Sequence, residues 1–300
     1  MSQYSFKFAV GGRVLFSVRR PVRDICARLI EILEQRVPPV PLRPGQGLIY
    51  RSLPVSALDA VPYGSDVIVY EKERFPRHYT VFSGDFDSYL NSMSANARSS
   101  LRRKVRAFEK YAGTLNVREH RTPSEVAAFL PLARALSKRT YQDRLLEAGL
   151  PDTDTFTRRS MESAERDQLR AYMLFDQDRP VSYLYAPADE DVLIYEYQGY
   201  DPEYANYSVG GVLQFEVMRR LFAEQRWRYF DFTPGEGQHK RQFATGQVEC
   251  LDLVILPKSA ANTLLVSGHR GFNGMVERAG SYAERKGLKA RFRRLLRGQT

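Results

Sequence analysis

Residues 192–240 read VLIYEYQGYDPEYANYSVGGVLQFEVMRRLFAEQRWRYFDFTPGEGQHK, and this stretch decides the fold. A β-branched and aromatic run, Val192 to Tyr197, meets a turn at Asp201-Pro202. The small-residue loop Ser208-Val209-Gly210-Gly211 then opens an apolar helix, which leads into a second strand, Tyr229-Phe230-Asp231-Phe232. Strand, glycine loop, helix, strand is the layout of an anion site: the first N–H groups of a helix have no intrahelical acceptor, its dipole is positive there, and glycine lets a bulky group approach the backbone. The stretch predicts a phosphate-bearing ligand such as a nucleotide or coenzyme A. The loop matches neither G-x-x-x-x-G-K-[ST] nor G-x-G-x-x-G, which speaks against ATP, GTP and NAD and leaves coenzyme A as the leading candidate. A Gly-Gly pair is also an ordinary way to make a turn, so the loop alone does not decide the ligand.

Working outward, short strand patterns at Leu169 to Phe175, Val181 to Ala186 and Val192 to Tyr197 alternate with the turns Asp176-Gln177-Asp178-Arg179-Pro180 and Pro187-Ala188-Asp189-Glu190-Asp191, which predicts an antiparallel meander. Before it, Ser94 opens a helix whose Leu101, Val105, Phe108 and Ala112 share an apolar face, with Arg98, Arg102 and Arg106 along another edge and Gly113 as its stop. A strand at Leu115 to Arg118, a helix at Pro123 to Arg139 and helical segments at Arg144 to Leu146 and Phe156 to Glu165 follow. Tyr229 to Phe232 is expected to join the meander's sheet, and Glu249 to Leu256 to give a last strand. In the first ninety or so residues the strand-like runs are Phe6 to Val10, Val14 to Val18, Val67 to Tyr70 and Tyr79 to Phe82. A helix is expected over Pro21 to Arg36 and a Pro/Gly-rich loop over Val37 to Gly47. The expected architecture is α+β or mixed α/β around one sheet. It divides into a small N-terminal α/β unit (1–85), a central domain (86–258) and a basic C-terminal helical tail (259–300).

A chain of 300 residues that is 43% hydrophobic has enough apolar surface for a core. Cys26 and Cys250 fit neither a disulfide framework nor metal-ligand spacing, which suits a reducing cytosol. Gly11, Gly12 and Arg13 interrupt the N-terminal apolar run, so it does not read as a signal segment, and no run is long enough to span a bilayer. The expected location is cytoplasmic. Between Arg270 and Arg297 basic residues far outnumber Glu277 and Glu284, so the tail supplies most of the formal net charge of +10. Leu288, Phe292 and Leu295 recur there at helical spacing. The tail reads either as a solvated helix or as a peripheral contact with anionic lipid or another polyanion at the inner face of a membrane.

The order of elements, with a glycine loop after the last meander strand, resembles the GNAT acyltransferase fold. More narrowly, residues 88–246 resemble the acetyltransferase domain of the CelD/BcsL-like family, associated with cellulose and exopolysaccharide biosynthesis and similar to the Fem-type peptidyltransferases. The resemblance rests on SANARSSLRRKVRAFEK, DQDRPVSYL, YQGYDPEYANYSVGGVL and DFTPGEGQHKRQF. The family commonly has tyrosine before the lysine of the last motif, where this chain has His239 before Lys240. Residues 1–85 are also short for the degenerate first GNAT-like half of many relatives.

The resemblance implies that Ser208, Val209, Gly210 and Gly211 hold the pyrophosphate of acyl-coenzyme A, with acetyl-coenzyme A as the co-substrate and no metal. It also implies that the strand before the loop, ending at Tyr197, orients the pantetheine arm. Acyl transfer from a thioester needs a held donor, an acceptor amine or hydroxyl and a proton acceptor. Glu196 is the first candidate base, with a charged strand edge as its plain reading. Tyr197, Tyr200, Tyr204 and Tyr207 have two readings, as proton donor or sugar platform and as core residues with hydroxyls at the rim. Asp231 needs a partner, for which Lys240 or Arg241 is at hand, and Lys240 after Gly235 and Gly237 reads as an ammonium on a flexible loop. His239 is a candidate proton acceptor, with an ordinary loop histidine as its plain reading, and the row Arg98, Arg102 and Arg106 is either a solvated face or a contact for an anionic acceptor such as a nucleotide-linked sugar. The expected activity is acyl-coenzyme A-dependent N- or O-acyl transfer to a sugar, nucleotide-sugar or polysaccharide precursor. Its rivals are a Fem-like enzyme fed by charged tRNA, with the basic tail on the RNA, and a non-catalytic module of an envelope-polysaccharide complex.

Overall fold

The computed structural model describes residues 2–10, 13–36, 45–61, 63–142 and 149–285. The expected segments at Arg144 to Leu146 and Leu288 to Leu295, and most of the loop expected over Val37 to Gly47, lie outside these residues. The fold is mixed α/β with mainly antiparallel strands flanked by helices, and the chain divides into two compact units. One is Pro76–Val248 and the other is Met1–Phe75 with Glu249–Thr300. Both unit boundaries fall inside strands, β4 (Val67–Val81) and β11 (Gly246–Pro257).

In the unit Met1–Phe75 with Glu249–Thr300, β1 (Ser2–Val10) and β2 (Arg13–Cys26) form an antiparallel hairpin, and β3 (Gly47–Pro54) runs parallel to the end of β2 and antiparallel to β11. The helix expected over Pro21 to Arg36 is corrected here. Val22 to Cys26 pair with Gly47 to Arg51 as strand, and only α1, Leu29–Leu33, is helical. The three- and four-residue spacing of Ile25, Leu29 and Ile32 therefore crosses a strand-to-helix junction. The runs Val67 to Tyr70 and Tyr79 to Phe82 are parts of the single strand β4, continuous through the polar Glu71 to Arg74. The long helix α8 (Ala260–Arg285) adds Leu265 and Val266 to a core built from Tyr4, Phe6, Phe8 and Val254.

The unit Pro76–Val248 follows the expected order closely. After α2 (Phe86–Ser92), Ser94 caps α3 (Ala95–Ala112) by accepting from Ala97 N, and Gly113 ends it left-handed at φ 81°. Then come β5 (Asn116–His120), α4 (Pro123–Gln142), α5 (Asp154–Glu165), β6 (Leu169–Asp176) and β7 (Arg179–Asp189). β5, β6 and β7 are successively antiparallel. β6 is almost wholly buried, as a strand covered on both faces must be. One face packs Val126, Phe129 and Phe156 of α4 and α5; the other packs Leu101 and Phe108 of α3 and the apolar side of α6 (Val209–Glu224).

The third meander strand is not one strand. Its first part, β8 (Val192–Ile194), lies between the end of β7 and the parallel strand β10 (Tyr229–Pro234). Tyr195 N donates to Asp231 O at 2.8 Å on β10, and the next residue, Glu196, donates its N–H to Tyr185 O at 3.3 Å on β7. From there β9 (Tyr197–Tyr200) pairs with β7 alone. The chain thus exchanges one neighbour for the other, and β10 continues through Phe232 without a strand on that side. β9 and β10 therefore diverge, and the splay between them is the slot. Gly199 is needed on β9, because a Cβ there would stand 2.4 Å from the Tyr183 ring.

Candidate active site

The slot ends at the start of α6. The turn from Asp201 to Ser208 is fixed by Asp201, fully buried, which accepts from Glu203 N and is held by Arg139 at 2.8 Å and Arg179 at 2.6 Å. Ser208 is left-handed at φ 53°, an uncommon conformation for a residue other than glycine, and makes no side-chain cap. Gly211 N and Val212 N turn back to Ser208 O at 2.8 and 3.0 Å, so Val209 and Gly210 present their N–H groups ahead of the first helical turn.

Those groups face a cavity of about 380 Å³. Ser208 to Gly211 and Tyr200 line it together with Lys104 from α3 and Gln238, His239 and Gln242 from α7 (Gln238–Phe243). A methyl group on Gly210 would make only ordinary contact, 3.7 Å from Gln198 and Tyr200, and one on Gly211 would stand in open space. The fold does not require glycine at either position. What the pair supplies is bare backbone at a cavity with a cation in its wall, which suits a phosphate group.

In the slot behind the cavity, the Tyr195 hydroxyl donates to Gln198, whose amide donates to Gly210 O at 2.9 Å. The Tyr195 ring lies 5.8 Å from Phe232 and 5.7 Å from His239. His239 is exposed on the cavity side; the protein wall behind it and the charge on Lys240 lower its pKa from the ordinary histidine value, which favours the neutral imidazole that can accept a proton.

The other expected site residues are placed elsewhere. Strand β9 emerges from its crossing with Glu196 and Tyr197 on the α4/α5 side. The Glu196 carboxylate is bound by Arg159 at 2.7 Å, and Tyr197 packs edge-on to Phe156. Tyr204 donates to Asp176 at 2.7 Å, and Tyr207 stacks on Tyr111 at 4.2 Å between centroids. Asp231 is buried against Arg77 and accepts from Thr233 N at 2.9 Å. Lys240 is not on a flexible loop: it lies within α7 and donates to Thr233 O at 3.1 Å and Pro234 O at 2.9 Å. Burial, then Arg77, lowers its pKa from the ordinary lysine value, against the pull of Asp231. Arg98 reaches Asn91 at 3.1 Å on the outer side of α3, where Arg102 lines a groove with Arg103 and Arg106. Among the described residues no group of histidine, cysteine and carboxylate side chains is arranged to hold a metal ion.

Residues 95–241 match the family described as acetyltransferase (GNAT) domain. That stretch is similar to a GNAT domain. The C-terminal domain of a proposed lysylphosphatidylglycerol synthetase from Agrobacterium fabrum is similar in fold, with 10% identity, 76% of this chain and 72% of that chain covered, and a TM-score of 0.51. L-PGS from Bacillus licheniformis is similar over 80% of this chain and 75% of that chain, at 12% identity and a TM-score of 0.51. FemX is 12% identical over 71% of this chain and 72% of that chain, at a TM-score of 0.46. No curated protein matches the sequence. In and beside the matched stretch, sequence reasoning missed Lys104, Tyr195, Gln198, Gln238 and Gln242. Lys104 is hidden among arginines, and the Tyr195 and Gln198 positions follow from a strand break that periodicity does not show.

Proposed function

We propose that the protein is an acyl-coenzyme A-dependent N- or O-acyltransferase, with acetyl-coenzyme A as donor and a sugar, nucleotide-sugar or polysaccharide precursor as acceptor. The observation that carries this reading is the bare backbone at Val209 and Gly210, which opens on a cavity that Tyr200 of β9, Lys104 and His239 also line. The N–H groups and Lys104 would hold the donor's pyrophosphate, and the slot beside Tyr195 and Gln198 would take its pantetheine arm.

Of the candidate bases, His239 is the one we place at the reaction: its lowered pKa favours the neutral form, it lies on the cavity wall and its ring is 5.7 Å from that of Tyr195. It takes the proton from the acceptor's amine or hydroxyl as that group attacks the thioester carbonyl, and the acyl–sulfur bond breaks to release the thiol. Glu196, engaged with Arg159, serves to fix the strand crossing. The Tyr195 hydroxyl and Gln198 orient the start of α6 from behind.

One observation favours a second reading, in which charged tRNA is the donor. Arg102, Arg103, Arg106 and Lys110 line a groove on α3 and have no carboxylate partner among the described residues. Calorimetric titration with acetyl-coenzyme A and, separately, with aminoacyl-tRNA decides between them. Gly210→Val is expected to lower acetyl-coenzyme A affinity by at least about tenfold, or about 1.4 kcal/mol, with the melting temperature kept. Unchanged affinity in the folded variant would remove the proposed donor site.

A further inference from the structure

In the unit Met1–Phe75 with Glu249–Thr300, the β1–β2 hairpin extends past its neighbour. β3 pairs only with Val22 to Cys26 of β2, while β1 pairs with β2 up to Val10 and Arg13. At that far end Val14, Leu15 and Phe16 are 47%, 54% and 54% exposed, three consecutive apolar side chains beside a bulge in the register. Phe16 stacks on Phe8 at 4.3 Å, and Phe8 meets Phe272 of α8 at 5.3 Å. The apolar end is therefore seated on the unit's own core.

Its surroundings are basic: Lys7, Arg13 and Arg19 stand on this end of the two strands, and none of the three has a carboxylate partner among the described residues. The bulge, Pro21 and the arginines are also features that block strand-to-strand addition at an open edge, which disfavours a second copy pairing there. Exposed apolar side chains within a cationic surround match the boundary of an anionic bilayer, where the rings enter the headgroup region and water still reaches the unpaired strand edges.

We propose that the end of the β1–β2 hairpin, centred on Leu15 and Phe16, docks the protein onto an anionic lipid surface. The full chain is sedimented with phosphatidylcholine–phosphatidylserine vesicles and with phosphatidylcholine alone. Binding is expected to the first, to weaken with salt, and to fall at least about tenfold in L15S/F16S, since two exposed side chains lose their apolar contact. In Leu15→Trp, brominated lipid is expected to quench the new indole while the buried Trp227 is spared. A folded L15S/F16S variant that binds as the parent does would overturn the proposal and leave attraction to the rest of the chain. So would a parent that ignores vesicles and elutes as a dimer broken by the same variant, which would make the hairpin end a self-contact.

Discussion

The two polar regions flanking β10 differ in how much of their bonding capacity is used. At its C-terminal end, Asp231 is tied to Arg77 and Thr233, and the Lys240 ammonium is held by two backbone carbonyls. At the start of α6, Ser208 leaves its side chain out of the cap, two N–H groups stand clear, and glycine occupies positions that would accept a methyl group. Both regions carry residue types associated with catalysis. Buried polar groups whose partners are all present in the fold serve the fold, while groups left over at a cavity are available to a ligand.

The sharpest break of this comparison lies at Asp231. Asp231→Ala removes the carboxylate that faces the buried Arg77 guanidinium and is expected to cost about 3–5 kcal/mol in urea unfolding. Normal stability with lost turnover would move Asp231 from the structural to the reactive set. Next in size, His239→Gln is expected to lower turnover by about a hundredfold with acetyl-coenzyme A affinity kept. The active form is the neutral imidazole, and its pKa is lowered in the folded protein. Parent turnover is therefore level at neutral pH and falls as the pH drops through that lowered value. The unfolded chain takes up the same proton at higher pH, so this group's effect on stability turns unfavourable as the pH falls below the ordinary histidine value. A profile unchanged in His239→Gln would discard the assigned base. The smallest effect is expected for Glu196→Gln: Arg159 is half exposed, so the pair contributes at most about 1 kcal/mol, and turnover should hold within a few-fold. A hundredfold loss there would return Glu196 to the chemistry.

Much of the unit Pro76–Val248 was legible because its local signals agree with its tertiary ones. Ser94 and Gly113 mark both ends of α3, and Leu101 and Phe108 on its apolar face are buried as the spacing required. The N-terminal strands were harder to read. Ile25 fits a helical repeat with Leu29 and Ile32, but Ile25 pairs with Tyr50 of β3, and a partner 25 residues away overrides local spacing. In the site, the glycine loop could be read directly. Lys240 misled, since the two glycines before it, Gly235 and Gly237, suggested mobility where the backbone forms a helix that turns the ammonium inward. The side of the sheet reached by Glu196 depends on where the strand changes partner, and a strict two-residue alternation cannot show that.

That change of partner at Tyr195 and Glu196 bears on kinetics. The divergence beside β10 arises from how consecutive amides choose their acceptors, a feature of the backbone itself. Stopped-flow association with the acyl donor is thus expected to be a single exponential whose rate rises linearly with donor concentration and does not saturate.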